Sequence, residues 1–226
     1  MIERAATFRA SAIVAVLAIG VVGVLIAGLQ PQLLGMMATE GRLSAARLGV
    51  VATVELLAMG LGAGGAGAIV RVNGLRPAGA VAAIVLIIAD AVTPLAAGGA
   101  IIAVRAAAGL AEGTLIWLAI GFIARTANPG RWAAIYLMAQ TFAQLLIAAL
   151  FAGSVLPRWG SAGGFALLAA TGVIALAMLP WAPRAYARLE DDGVSGGRPP
   201  IAGMIALAGV LLYLAFVVGV WVYVEP

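Results

Sequence analysis

Two charged residues lie inside one long apolar stretch of this sequence, IIAVRAAAGLAEGTLIWLAIGFIAR, at positions 101–125. They are Arg105 and Glu112, seven positions apart and therefore close to one face of a helix. The stretch exceeds the roughly 20 residues that a helix needs to cross a bilayer. A charge near the bilayer centre costs roughly 2.5–3.5 kcal/mol on insertion scales, so such residues normally face a protein interior or an aqueous cavity. The pattern predicts a helix bundle with a polar interior.

Two acids in neighbouring apolar stretches are expected to lie near Arg105. Asp90 lies seven residues before the end of its stretch, and Arg105 lies seven residues after the short turn that follows. At about 1.5 Å of rise per residue the two side chains come to similar depth. We therefore predict an ion pair between Asp90 and Arg105, with Glu55 at comparable depth and Glu112 deeper in the bundle.

These four charged residues are candidates for a substrate or proton pathway, because intramembrane ionisable side chains are usually functional. In that hypothesis one acid exchanges a proton, and Arg105 binds an anionic group or moves between acids. The alternative is a structural charge pair buried between helices. Gln140 and Gln144, four residues apart on one helix face, are further candidates for substrate contact, or else for hydrogen bonds between helices.

Composition places the chain among integral membrane proteins. Of its 226 residues 64% are hydrophobic and only 10% are charged, whereas soluble domains carry about 25% charged residues. The chain has no Cys and no His, so the common catalytic triads and thiolate or imidazole metal sites are not available. We expect no enzyme activity, no cofactor and no metal site. The excess of Arg is expected to flank membrane helices, not to bind nucleic acid.

Seven apolar stretches are long enough to cross a membrane, so the predicted fold class is all-α, a polytopic bundle of about seven transmembrane helices. The stretches cover residues 10–37, 48–70, 78–97, 101–125, 132–156, 162–181 and 201–224. We expect three parts, which are a six-helix bundle at 1–181, a linker at 182–200 rich in charge, Gly and Pro, and a seventh helix within 201–226.

Small residues at four-residue spacing predict close contacts between helices. Gly60 and Gly64 form one such pair, and Gly109 and Gly113 form another. Either a helix slides against its neighbour at these faces, or the glycines only permit close packing.

The distribution of Arg predicts the orientation of the helices. If the N-terminus is cytoplasmic, most of the loop Arg residues lie on the cytoplasmic side, and only Arg42, Arg47 and Arg158 lie on the other side. This asymmetry follows the positive-inside rule. Together with the Arg-rich and Ala-rich composition, it predicts a bacterial inner membrane protein with a cytoplasmic N-terminus.

Two motifs resemble the first half of the major facilitator superfamily. In the stretch at 101–125, Arg105, Gly109 and Gly113 match that family's Arg-x-x-x-Gly pattern with a further Gly four residues on. The basic turn between the second and third stretches is similar to the family's turn motif at four positions, Gly67, Gly74, Arg76 and Pro77. The family's Asp in this turn is replaced by Arg71, so the charge relay that this Asp serves would be absent or rewired.

The resemblance implies a secondary transporter that moves a small molecule by alternating access, with proton coupling. The chain would correspond to an N-terminal six-helix half plus the first helix of a second half. We therefore expect either a truncated product or association with another chain, such as a homodimer. The alternative is a non-transporting membrane subunit that acts by helix association. Besides a small-molecule substrate, the lipid bilayer is the expected partner.

Overall fold

The chain is all-α throughout the part that the structure describes. The structure is a computed structural model that describes residues 8–70 and 74–186, with isolated positions at Ile201 and Ile205. Across these residues it shows helices and no strand. The six α-helices are α1 (Ala10–Thr39), α2 (Ala45–Ile69), α3 (Leu75–Val92), α4 (Gly99–Ile123), α5 (Pro129–Leu150) and α6 (Leu156–Met178).

Five continuous helical stretches of the described residues are long and apolar enough to cross a membrane, whereas the sequence predicts about seven spans. The last of them, Pro129–Trp181, contains both α5 and α6, joined through a π-helical turn at Phe151–Val155. Gly160 interrupts this stretch with φ 59° and ψ −158°, a conformation that glycine adopts without a Cβ clash. The break leaves about 30 residues before it and about 20 after it, each enough for one crossing.

Local sequence signals account for several helix boundaries. The Asn128 side chain accepts a hydrogen bond from the backbone N–H of Arg131 at 3.0 Å and so caps α5, with Pro129 in the first turn. At its C-terminal end α3 stops at Val92 and passes into a 3₁₀ turn at Thr93–Leu95. The predicted third stretch, 78–97, therefore does not end as a regular α-helix. Its last part is a 3₁₀ turn, because Pro94 has no N–H to continue the α-helical hydrogen bonds.

Helix α4 lies at the centre of the bundle and contacts α1, α2 and α3. Its contact with α2 is the closest, because glycines bring the two backbones together. A Cβ at Gly109 or Gly113 would collide with the carbonyl oxygen of Glu55 or Met59 on α2, and Gly62 of α2 lies equally close to Leu110. The predicted close contact at Gly109 and Gly113 is therefore present.

The glycine pair predicted on α2 is not at this contact. Among the described residues nothing lies within 4 Å of a Cβ built at Gly60 or Gly64, and Gly62 faces α4 instead. Gly60 and Gly64 are exposed or partly exposed on the other side of the helix. The sequence indicates that glycines on α2 allow a neighbouring helix to approach closely. It does not show which of these glycines faces α4, because α2 contains glycines on several faces.

One end of the bundle is fastened by the loop between α1 and α2. The Arg42 guanidinium donates to the carbonyl oxygens of Pro94 at 2.6 Å and Ala96 at 3.0 Å, just beyond α3. The Glu40 carboxylate accepts from the backbone N–H of Ser161 at 2.6 Å, directly after the break at Gly160. A cation at carbonyl groups that end a helix and an anion at N–H groups that begin one both complement the helix dipole.

The chain divides into two compact units, Met1–Ala187 and Arg188–Pro226. The first contains α1 to α6. In the second only Ile201 and Ile205 are described, and both are helical and exposed. The predicted seventh helix and most of the predicted linker lie outside the described residues, so both remain predictions. The first residues of that linker are ordered against the bundle, with Ala182 and Tyr186 buried.

A matched pair of glycine substitutions tests the α2–α4 contact. We expect Gly113→Ala to lower the free energy of unfolding by about 1–3 kcal/mol, because its new methyl group overlaps the α2 backbone. Gly64→Ala should be neutral or stabilising by up to about 1 kcal/mol, because alanine favours helix and nothing described lies within 4 Å of the new methyl group. Thermal unfolding of both purified variants in the same detergent measures the difference. Equal effects at the two positions would contradict the assigned contact.

Candidate functional site

Arg105 is completely buried at the centre of the bundle, and three acids surround it. Its Nη1 donates to Oδ1 of Asp90 on α3 at 2.7 Å, so the predicted ion pair is present. Its Nη2 donates to Oε1 of Glu55 on α2. Oε1 of Glu112, two turns further along α4, lies 3.6 Å from the same Nη2. One guanidinium therefore joins three helices through ionic contacts.

A glutamine on α1 completes the cluster. Nε2 of Gln30 donates to the second oxygen of Glu55 at 2.7 Å, and the Gln30 side chain is buried. The hydroxyl of Thr93 lies 3.4 Å from Nη1 of Arg105 and donates to the carbonyl oxygen of Ala89 at 2.7 Å. These contacts extend the polar cluster from α1 to the turn after α3.

The cluster is closed to solvent in this structure. None of the four charged side chains is more than 3% exposed. On the α6 side the ring of Phe165 lies against the guanidinium, with 5.1 Å between the Arg105 Cζ atom and the ring centre, a cation–π distance. The three acids lie directly against Arg105, so the predicted polar interior is present here as a closed cluster.

Two atoms of the cluster have no hydrogen-bond partner among the described residues. They are Nε of Arg105, a donor, and Oε2 of Glu112. Both are buried, and both belong to α4. Since an unpaired buried polar atom costs about 1–3 kcal/mol, these two atoms mark where the cluster can form new bonds.

The two predicted glutamines lie elsewhere, at the contact between α1 and α5. Nε2 of Gln144 donates to the backbone carbonyl of Val24 at 2.9 Å, and its amide group lies against Gly28. Gln140, one turn earlier on α5, is half-buried. This arrangement agrees with the helix-to-helix hydrogen bond that the sequence left open for Gln144, and neither glutamine contacts the charged cluster directly.

The basic turn between α2 and α3, for which the family resemblance implies a role in conformational switching, meets the chain that follows α6. Nε of Arg76 donates to the carbonyl oxygen of Ala182 at 2.8 Å. Gly67, near the end of α2, lies against the indole of Trp117 on α4, and that ring contacts Tyr186 edge-on. Arg76 therefore holds the start of α3 to the residues after α6.

The other members of this turn are placed as follows. Gly74 directly precedes α3, and Pro77 is exposed in its first turn. Arg71, the residue at which the sequence departs from the family motif, lies outside the described residues. The rewired charge relay inferred from Arg71 therefore remains a prediction.

Tyr186 fixes the residues after α6 to the end of α4. Its hydroxyl donates to the carbonyl oxygen of Leu118, and the Arg125 guanidinium lies 4.8 Å from the centre of its ring. Burial raises the pKa of the Tyr186 hydroxyl, and the positive charge of Arg125 opposes that shift only in part. The segment is held in place by an uncharged phenol.

The described acids do not form a group that could hold a metal ion. Within the charged cluster the bonded oxygens of Glu55 and Asp90 accept from a guanidinium and an amide. The chemistry that this arrangement supports is therefore proton binding and exchange of ion-pair partners.

Three residues of the cluster were not predicted from the sequence. Gln30 and Thr93 could have been recognised from their sequence positions, whereas Phe165 could not. Gln30 is an amide within an apolar helix, and such residues seek polar partners in a membrane. Thr93 lies three residues after Asp90 and so shares its side of the chain. Phe165 has no distinguishing signal, because aromatic residues are common on apolar helices.

The sequence matches no protein-family model and no curated protein sequence.

Removing the cation alone should destabilise the bundle more than removing it together with the two acids it is hydrogen-bonded to. We expect Arg105→Gln to lower the free energy of unfolding by about 3–5 kcal/mol, because buried carboxylates lose their counter-charge. Adding Asp90→Asn and Glu55→Gln to that variant should recover a large part of the loss. Unfolding in mixed micelles followed by tryptophan fluorescence measures both. Further loss in the triple variant would contradict the ionic assignment, and Arg47→Gln at an exposed position is the control.

Tyr186→Phe tests the contact between the segment after α6 and α4. We expect a loss of about 1 kcal/mol at neutral pH, because the Leu118 carbonyl loses its donor. The raised pKa of Tyr186 means that the folded state favours the neutral phenol. This contribution is therefore full below the unfolded pKa of about 10 and is lost as the pH rises above it.

Melting temperatures of wild type and Tyr186→Phe from about pH 8 to about pH 12 measure this difference. The gap between the two proteins should narrow as the medium becomes more alkaline. A gap that stays constant over that range would show that the contact with α4 does not raise the pKa of the phenol.

Proposed function

We propose that this chain is a secondary transporter of the major facilitator type, comprising the N-terminal six-helix half and the first helix of the second half. It would move a small molecule by alternating access, coupled to protons. The observation that carries the proposal is the cluster of Arg105 with three buried acids inside a bundle of membrane-length helices. The proposal assigns no catalytic reaction to the chain.

The composition of the cluster supports a functional role for it and not a purely structural one. Replacing a buried ionic group by well-packed apolar residues is often neutral or stabilising, so an ion pair is not needed to hold a bundle together. This cluster also has three carboxyl groups for one guanidinium, which a structural pair would not need. Ionisable residues placed in this way inside a membrane bundle mark ion and proton pathways.

The position of the glycines and of the cluster supports the family assignment. Arg105, Gly109 and Gly113 occur in order along α4, and the two glycines lie against α2. If the break at Gly160 separates two crossings, α1 to α6 make six, the number expected of a family half. The charged cluster would then lie within the bilayer, and by the positive-inside rule the N-terminus would be cytoplasmic in a bacterial inner membrane.

A transport path would need a second wall beside this bundle, supplied either by a second half or by a second copy. The cluster is closed in the present conformation, so alternating access requires a state in which it opens to one side of the membrane. Binding sites near the midplane, between two repeats, are the general arrangement in such transporters.

A non-transporting subunit that acts by helix association is the second candidate function. It is favoured by the outer face of α2, where nothing described lies within 4 Å of a Cβ at Gly60 or Gly64. Small residues on a membrane helix allow a partner helix to approach closely. In this case the charged cluster would be a structural link between helices.

Proton-coupled flux in proteoliposomes separates the two candidates. The full chain is reconstituted with a pH-sensitive dye inside, and four probes are added in turn, namely ethidium, glucose, alanine and succinate. We expect one probe to change the internal pH faster than in protein-free vesicles. Arg105→Gln should abolish this effect, whereas Arg47→Gln at an exposed position should retain it.

The oligomeric mass in lipid nanodiscs is measured on the same samples. Flux from a particle of about twice 22.6 kDa would indicate that two copies supply both walls of the path. A stable dimer that moves none of the probes would contradict transport by this chain and support the association subunit.

A further inference from the structure

Glu112 differs from the other two acids of the cluster in its hydrogen bonding. One of its oxygens lies 3.6 Å from Nη2 of Arg105, beyond hydrogen-bond distance, and the other has no partner among the described residues. The side chain is nonetheless buried, at 2% exposure. A carboxylate in this position would carry a full negative charge with little compensation, whereas a protonated carboxyl group would not.

Glu55 and Asp90 are each held by a strong donor. Glu55 accepts from Arg105 through one oxygen and from Gln30 through the other, the latter at 2.7 Å. Asp90 accepts from Nη1 of Arg105 at 2.7 Å. Hydrogen bonds to a guanidinium favour the ionised form of a carboxyl group, since they are stronger to a charged acceptor. These two acids are therefore the hydrogen-bonded partners of Arg105.

The charges that face Glu112 come from three helices. They are Glu55 from α2, Asp90 from α3 and Arg105 from α4 itself. On the α1 side Gly23 lies against the Glu112 backbone, and the Gln30 amide is bonded to Glu55. The single cation is hydrogen-bonded to the other two acids, so an ionised Glu112 would have only its longer 3.6 Å contact with Arg105.

We propose that Glu112 is the proton-binding residue of this cluster, and that losing its proton draws Arg105 away from its present partners. The proton leaves the carboxyl oxygen for the aqueous phase as hydronium. The carboxylate that remains then accepts from Nε of Arg105, the one guanidinium nitrogen without a partner among the described residues. Both unpaired atoms become paired in this second arrangement.

The exchange of partners has a structural consequence. Turning Arg105 toward Glu112 weakens its bonds to α2 and α3, while the new bond lies within α4. When Glu112 is protonated, the bonds of Arg105 therefore link α2, α3 and α4. When Glu112 loses its proton, those bonds weaken and the link is released. Proton binding at Glu112 does not depend on transport, but its use as a driving force rests on the proposed function.

Infrared difference spectroscopy of the full chain in nanodiscs tests the proposal directly. Spectra are recorded between about pH 5 and about pH 9, and the C=O stretching band of protonated carboxyl groups is followed. We expect a band from a buried protonated carboxyl group in the wild type, and its complete loss in Glu112→Gln. The isosteric Glu40→Gln variant, which changes an exposed acid outside the cluster, is the matched control and should retain the band.

Selective carbon-13 labelling of glutamate carboxyl groups provides a measurement that needs no substitution. The wild-type band should shift when glutamate is labelled and stay unshifted when aspartate is labelled. A band that persists in Glu112→Gln, one that follows the aspartate label, or no protonated band at all would each overturn the assignment.

A transport readout distinguishes this inference from the proposed function. If one of the four probes is transported, Glu112→Gln should still exchange it across the vesicle membrane but should no longer accumulate it in a pH gradient. Loss of the infrared band without any probe transport in the wild type would support the proton site and contradict the transporter. Transport in Glu112→Gln that still follows the pH gradient would contradict coupling through Glu112 and would leave the proposed transport function standing.

Discussion

The burial of the Arg105 guanidinium is the constraint on which the rest of this bundle depends. A charge in the interior is tolerated only if opposite charges and hydrogen bonds replace the water it has lost. Asp90 and Glu55 supply them from two neighbouring helices, and Gln30 holds Glu55 from α1. The aromatic ring of Phe165 covers the remaining side from α6. Five helices thus take their relative positions around one side chain.

Close approach of α2 and α4 makes this arrangement possible. Gly62, Gly109 and Gly113 allow the two backbones to touch, so the Glu55 carboxylate on α2 reaches Arg105 on α4. Larger residues would separate the helices and leave the guanidinium without one of its acids. The glycines and the charged cluster therefore act together. The glycines set the distance between α2 and α4, and the opposite charges determine which faces of the two helices meet.

Much of the fold could be predicted from the sequence, because apolar length and turn residues act locally. Five helical stretches of membrane length cover the first six of the seven predicted spans, and Asn128 caps α5. The Asp90–Arg105 pair could also be predicted from the sequence. Two residues equally far along the chain from a short turn between helices lie at the same depth in the bundle. Residues 157–161 lie between the fifth and sixth predicted stretches, and in the structure they are helical except for the break at Gly160 inside α6.

By itself the sequence determined which segments become apolar helices and that their buried charges must find partners, since both follow from hydrophobicity and from the cost of an unpaired charge. Only the tertiary structure decided which partners these are. Gln30 joined Glu55, Gly62 met α4 in place of Gly60 and Gly64, and Glu112 kept an unpaired oxygen. The rotation of each helix about its axis determines these contacts, and it results from the packing of all the helices together, which no single segment encodes.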